Sequence, residues 1–245
     1  MVGGSVQSGL TILCPDVRNL GPDHINRLYD MAADHAAGPF RFLCFEPGGD
    51  GLRPEIERLA PPALPAQAPF GDWNLLRAFA PGVSEELGET ALLLDPEIMV
   101  VGQISAFLEP PGDFIMIRDW YHRFARIGNA SVLRFRPVRL TDAYEQFCSD
   151  PDAITSRFRN AREYLSWYAD HFGALSFWPK GWCVSFRRDC IPRWPLNHWR
   201  APELPTGSRI VVFHGKPTMS EGLQGRRAAG GIRSHRPAPW VGKGV

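Results

Sequence analysis

Residues 10–45 constrain the fold more than any other part of the chain. "LTILCP" (10–15) is a short apolar run closed by a proline, the pattern of a buried strand. "GPDHINRLYDMAADHAAGP" (21–39) then reads as a helix. Pro22 stands at the first helical position and Asp23 in the first turn. Ile25, Leu28, Tyr29 and Ala32 recur at helical spacing before Gly38 and Pro39 stop the run. "FRFLCF" (40–45) supplies a second strand. Strand, helix and strand at this spacing form a βαβ unit, which needs parallel pairing and a right-handed crossover. The expectation is an α/β protein with a mixed, mainly parallel central sheet flanked by helices.

The chain has 245 residues, 44% hydrophobic and 22% charged, which suits one large α/β domain. Residues 46–72 carry Pro54, Pro61, Pro62, Pro65 and Pro69 and read as a long loop of the kind that is functional or covers something. Further strands are predicted at 89–95, 113–120, 129–137, 174–179, 182–186 and 209–215. Helices are predicted at 73–81, 140–150 and 152–172, the last with Ile154, Phe158, Leu165 and Tyr168 as its buried stripe. Beyond residue 220 the chain turns rich in glycine and arginine, so one domain is expected over 1–220 and a mobile tail over 221–245.

Several classes are disfavoured. A net charge of +1 gives no pull toward nucleic acid or an anionic membrane. No run of about 18 apolar residues is present for a transmembrane helix, and the first residues lack a signal-peptide pattern. The five cysteines are odd in number and scattered, without a CxxC pair, which points to a reduced, cytoplasmic protein without a zinc cluster. GxGxxG after the first strand, GxxxxGK[ST] and GxSxG are all missing.

Two stations stand out. "ALLLDPEIMVVG" (91–102) interrupts an apolar run with Asp95-Pro96-Glu97. This is either a turn between strands or a pair of carboxylates at a strand end, suited to a hard divalent cation such as Mn²⁺ or Mg²⁺. "RIVVFHGKP" (209–217) ends a very apolar strand in His214, with Gly215 and Lys216 behind it. It is either a core histidine and a turn, or a metal ligand beside a lysine that can meet a phosphate. Asn129 and Ser131 in "IGNASVLRF" either lead into a strand or hydrogen-bond a sugar hydroxyl. Trp73, Asn74 and the tryptophans at 167, 178, 182, 194 and 199 are either packing aromatics or a stacking face for a sugar or base.

The order of these stations resembles a bacterial glycosyltransferase family of GT-A (nucleotide-diphospho-sugar transferase) fold. The resemblance covers roughly residues 10 to 220 plus Trp240-Val241, and rests on "FRFLCF", "FWPKGWCVSFRRDC" and "VVFHGKP" in one order. It implies transfer of a sugar from a nucleotide-diphosphate donor to an unknown acceptor. The family's acid-x-acid motif falls on Asp95 and Glu97, which with His214 would hold a divalent metal, Mn²⁺ or Mg²⁺. Lys216 falls on the diphosphate-binding lysine, and Trp73, Asn74, Asn129 and Ser131 lie near the donor. Relatives carry Trp-Asn-Lys where this chain has Trp73-Asn74-Leu75, and Gly-Asp-Gln where it has Asn160-Ala161-Arg162. Arg162 or Glu163 is left to carry the catalytic role.

Two readings follow. The first is a metal-assisted glycosyltransferase. The second is a catalytically silent relative that binds a nucleotide or glycan or serves as an interaction protein. A hydrolase pairing Asp95 with Glu97 fits poorly, because residues two apart on a strand sit too close for an acid and base with water between.

Overall fold

The computed structural model describes residues 9–15, 20–45, 50–69, 71–122, 124–227 and 234–244. The βαβ unit is present. Strand β1 (Leu10–Cys14) pairs in parallel with β2 (Phe40–Phe45) from Leu10↔Phe40 to Cys14↔Cys44, and α1 (Pro22–His35) crosses between them. The main sheet has seven strands in the order β3-β2-β1-β4-β7-β6-β8. Its other members are β3 (Glu57–Leu59), β4 (Ala91–Leu94), β6 (Phe114–Arg118), β7 (Gly128–Phe135) and β8 (Leu175–Phe177). The pairings are parallel except on the two sides of β7, which runs antiparallel to β4 and β6. A second sheet of β5 (Ile98–Val100), β10 (Ile210–Val212) and β9 (Cys183–Ser185) packs beside it, with β10 in the middle.

The period of two along each strand decides the layering. Ile12, Cys14, Phe42, Cys44, Leu92 and Leu94 face a core shared with α1 and the small sheet. Leu13, Leu43, Phe45 and Leu93 face the opposite core. That second core is closed by a 3-10 segment (Asp72–Phe79), by α2 (Pro81–Leu87) and α3 (Thr141–Ser149), and by α5 (Ala161–His171). Each fully buried Leu or Phe stabilises the fold by about 1.5–3 kcal/mol.

One expectation is corrected. The helix predicted over 152–172 is two helices, α4 (Pro151–Arg157) and α5, with Phe158 extended at φ −119° and ψ 137°. The cause is Asn160, whose Oδ1 accepts from the Glu163 N–H at 3.0 Å and so starts a new helix. Within the tail expected over 221–245, described residues also carry regular structure. α6 (Met219–Gln224) is closed by a capping box between Thr218 and Glu221, and Arg226 and His235 exchange backbone hydrogen bonds of 2.9 and 2.8 Å. Ala238 and Val241 are fully buried. Two small apolar anchors and a backbone ladder outweigh the Gly/Arg composition, while residues 228–233 and 245 lie outside the described set. Within the loop expected over 46–72, β3 adds an edge strand to β2.

Candidate functional site

The strand order reverses between β1 and β4, and the carboxyl ends of strands at such a reversal are the usual ligand position in open α/β sheets. A cleft of about 90 Å³ lies there, between Pro15 after β1 and Asp95 after β4. Asp95-Pro96-Glu97 is a turn between strands, and of its two carboxylates Asp95 lines the cleft. It carries the chain from the main sheet into the small one, so its shape is tightly held. The Asp95 N–H donates to Ser131 O at 3.0 Å, and the Ile98 N–H to Asp95 O at 3.2 Å. Asp95 Oδ1 accepts from the Glu97 N–H at 2.8 Å. Arg27 of α1 donates to Pro96 O at 3.2 Å, and the Phe213 N–H reaches Glu97 O at 3.3 Å.

Asn129 and Ser131 share the cleft with Asp95. β7 runs antiparallel, so its first residues arrive at the edge where β4 ends. Asn129 is buried, and its Oδ1 accepts from the Ser131 N–H at 2.9 Å. Gly128 before it is required by packing, because any Cβ there would overlap the Met116 side chain. Arg162, in the first turn of α5, brings a guanidinium to the same cleft, and Asp72 and Leu75 close another side.

The other expected site residues lie elsewhere. Trp73 is 4% exposed and stacks on Phe147 with centroids 5.1 Å apart, so its ring is committed to the core and offers no stacking face to a donor. Asn74 is half-buried and outside the cleft lining. Glu163 does not line the cleft either. Its carboxylate accepts from the Arg159 N–H at 3.0 Å and faces the Arg159 guanidinium at 3.3 Å. Burial pushes its pKa up, but the Arg159 hydrogen bonds outweigh that and hold it below the ordinary range. It stands in the first turn of α5. Lys216 is exposed beyond β10, 3.3 Å from Glu221. Gly215 takes φ 71°, the left-handed turn that glycine makes without strain.

The metal expected on Asp95, Glu97 and His214 does not fit this arrangement. A hard cation needs several oxygen or nitrogen donors converging at bonding distance. The small sheet does bring β10 beside β5, which sets His214 next to the turn. His214 Nε2, however, lies 2.7 Å from Ser185 Oγ, and its ring stacks on Trp120 at 4.8 Å. Glu97 bears electrostatically on the Arg27 guanidinium. Among the described residues, no three His, Cys, Asp or Glu side chains form a set that could hold a metal ion.

A cationic cluster surrounds His214 instead. Burial first, then Arg187 and Arg188, push its imidazole below its ordinary pKa, against the opposing pull of Asp119. Asp119, at the end of β6, escaped the sequence reading. It is 4% exposed and accepts from the N–H groups of Tyr121 and His122 at 2.7 and 2.8 Å. Burial raises its pKa, but these bonds and Arg162 outweigh it and hold the carboxyl below the usual range. The signal was available: "FIMIRD" is an apolar strand ending in an aspartate, the pattern of "ALLLD".

No protein-family profile matches the sequence, and no curated protein matches it. Solved structures do match its fold. GlyE, a glycosyltransferase of Streptococcus pneumoniae TIGR4, aligns with TM-score 0.56 at 11% identity over 86% of this chain and 56% of its own. The bifunctional glycosyltransferase WbbM aligns with TM-score 0.56 at 9% identity over 89% of this chain and 48% of its own. An active-site variant of LgtC aligns with TM-score 0.53 at 11% identity, over 86% of this chain and 89% of that one. The chain therefore spans about half the length of GlyE and WbbM. With its seven-stranded mixed sheet and helices on both faces, the chain has the GT-A-like fold of these glycosyltransferases.

Proposed function

We propose that this chain is a glycosyltransferase, working in the cytoplasm, that moves a sugar from a nucleotide-diphosphate donor to an acceptor hydroxyl. The observation that carries the reading is the cleft at the β1–β4 reversal, where Asp95, Asn129, Ser131 and Arg162 converge. In such a transfer the bond from the anomeric carbon to the diphosphate oxygen breaks. A bond from that carbon to the acceptor oxygen forms, and the acceptor's proton leaves. The polar groups suit sugar hydroxyls, and the Arg162 guanidinium suits the negative charge that grows on the leaving diphosphate. No step is assigned to a metal, because the candidate ligands do not converge.

A catalytically silent, ligand-binding relative is the second reading. It is favoured by Ala161, fully buried where the resemblance places a carboxylate, and by Glu163 being tied to Arg159. One experiment separates the two: thermal shift and turnover of the full chain with UDP- and GDP-sugars, with and without Mn²⁺. Release of nucleoside diphosphate from at least one donor is expected. A shift without release supports the silent relative, and no shift with any nucleotide defeats the transferase and leaves the silent relative only a glycan or interaction role.

A further inference from the structure

A second, larger cleft of about 870 Å³ opens between the end of β6 and the segment 178–193. Its wall is the "FWPKGWCVSFRRDC" stretch, the most distinctive run in the sequence and one that the proposed transfer has not used. We propose that this cleft is the acceptor subsite and that it selects an anionic saccharide, one bearing a carboxylate or phosphate. The inference rests on the transferase reading for the word acceptor, and on the cleft alone for the charge.

Charge is the first argument. Arg118, Lys180, Arg188 and Arg193 line the cleft, against Asp119 and Asp189. Both acids are engaged locally. Asp119 holds its own turn and faces Arg162, and Asp189 accepts from the Ser185 N–H at 2.7 Å. The cations are held by aromatic faces instead of carboxylates: Arg118 lies 4.0 Å over the Phe177 ring, and Arg188 lies 4.2 Å over Tyr121. Lys180 and Arg193 are exposed, and among the described residues neither has a carboxylate in ion-pair range. Four cations against two carboxylates leave an excess of positive charge in the lining, which favours ligands of the opposite sign.

Position is the second argument. Ile117, which lines the large cleft, pairs across β6 and β7 with Asn129, which lines the small one. Adjacent strands are about 5 Å apart, so the linings of the two clefts meet at this strand pair. The attraction between Asp119 and Arg162 spans the same boundary. The volume is of the size that houses a small organic ligand, and so a disaccharide.

The test measures binding to the full chain, by calorimetry, of three disaccharides: one ending in glucuronate, one in a sugar phosphate, and a neutral counterpart. Both acidic ligands are expected to bind at least about tenfold tighter than the neutral one, less so as salt rises. Whichever acid binds tighter identifies the natural anion. Lys180→Gln with Arg193→Gln, both exposed, should erase the preference while leaving the thermal shift with UDP or GDP unchanged. Equal binding of acidic and neutral ligands would overturn the proposal. So would a loss of nucleotide or pyrophosphate binding in the double variant as large as the loss for the acidic sugar, since the cleft would then hold the donor's diphosphate. A preference for acid without any nucleotide turnover would keep the anion site and sink the transferase reading instead.

Discussion

β4 and β6 are both buried apolar strands that end in an aspartate, and both aspartates bond the N–H two residues ahead. The resemblance ends there. Asp95 is half-buried in a turn that links two sheets, and several other backbone bonds would hold that turn without it. Asp119 is almost fully buried, accepts a second backbone bond from His122 and faces Arg162. The same local chemistry gives one carboxylate to the small cleft and makes the other a support beneath the guanidinium that serves it. What neighbours a turn, more than the turn itself, decides the role of its aspartate.

Arg162 lines the small cleft with Asp95 and bears electrostatically on Asp119, so its removal is expected to have the largest effect. Arg162→Gln should lower donor turnover by about a hundredfold, about 2.7 kcal/mol of lost charge stabilisation, with little change in stability. Steady-state kinetics beside a urea titration checks it, and an unchanged rate would detach both aspartates from the chemistry. Next comes Asp119→Ala, which strands two backbone N–H groups and should cost about 2–3 kcal/mol in urea unfolding. Because its folded pKa is lowered, Asp119 contributes stability that is present above the ordinary carboxylate value of about 3.9 and lost as pH falls through the folded pKa. Asp119→Asn should flatten that acid limb of the stability profile.

Asp95→Ala should cost only about 1 kcal/mol of stability, since one bond within an already anchored turn is lost. Its effect should appear in donor binding, seen by thermal shift with UDP-sugars. A stability loss as large as that of Asp119→Ala would erase the contrast between the two turns. The smallest effect is expected for Glu163→Gln, with turnover within about twofold and at most about 1 kcal/mol of stability, because the exposed pair with Arg159 is worth little. A large fall in kcat would restore Glu163 as the catalytic base.

Much of the fold was legible. The βαβ unit, the strand ends at 95 and 214, and the short strands at 183 and 210 all rest on periodicity and on Pro or Gly punctuation, which act within a few residues. Asn160 was readable as a cap, yet the apolar stripe of Ile154, Phe158, Leu165 and Tyr168 suggested one continuous helix. Trp73 read as a packing ring, with a stacking face as the alternative left open, because exposure depends on Phe147, far along the chain. The regular structure within the tail was hidden because composition averages over the Ala238 and Val241 anchors.

The sequence by itself determined which segments are strands and helices, and that Asp95 and His214 stand at strand ends. Hydrophobic period and turn chemistry are local, so the chain carries them wherever it folds. Only the tertiary structure decided that β10 lies against β5, Val212 opposite Ile98, and that Arg162 from α5 lines a cleft with Asp95 and bears electrostatically on Asp119. It also decided that His214 meets Ser185 and Trp120 instead of two carboxylates. Those pairings join residues far apart in the chain, and they are set by which faces can be buried together.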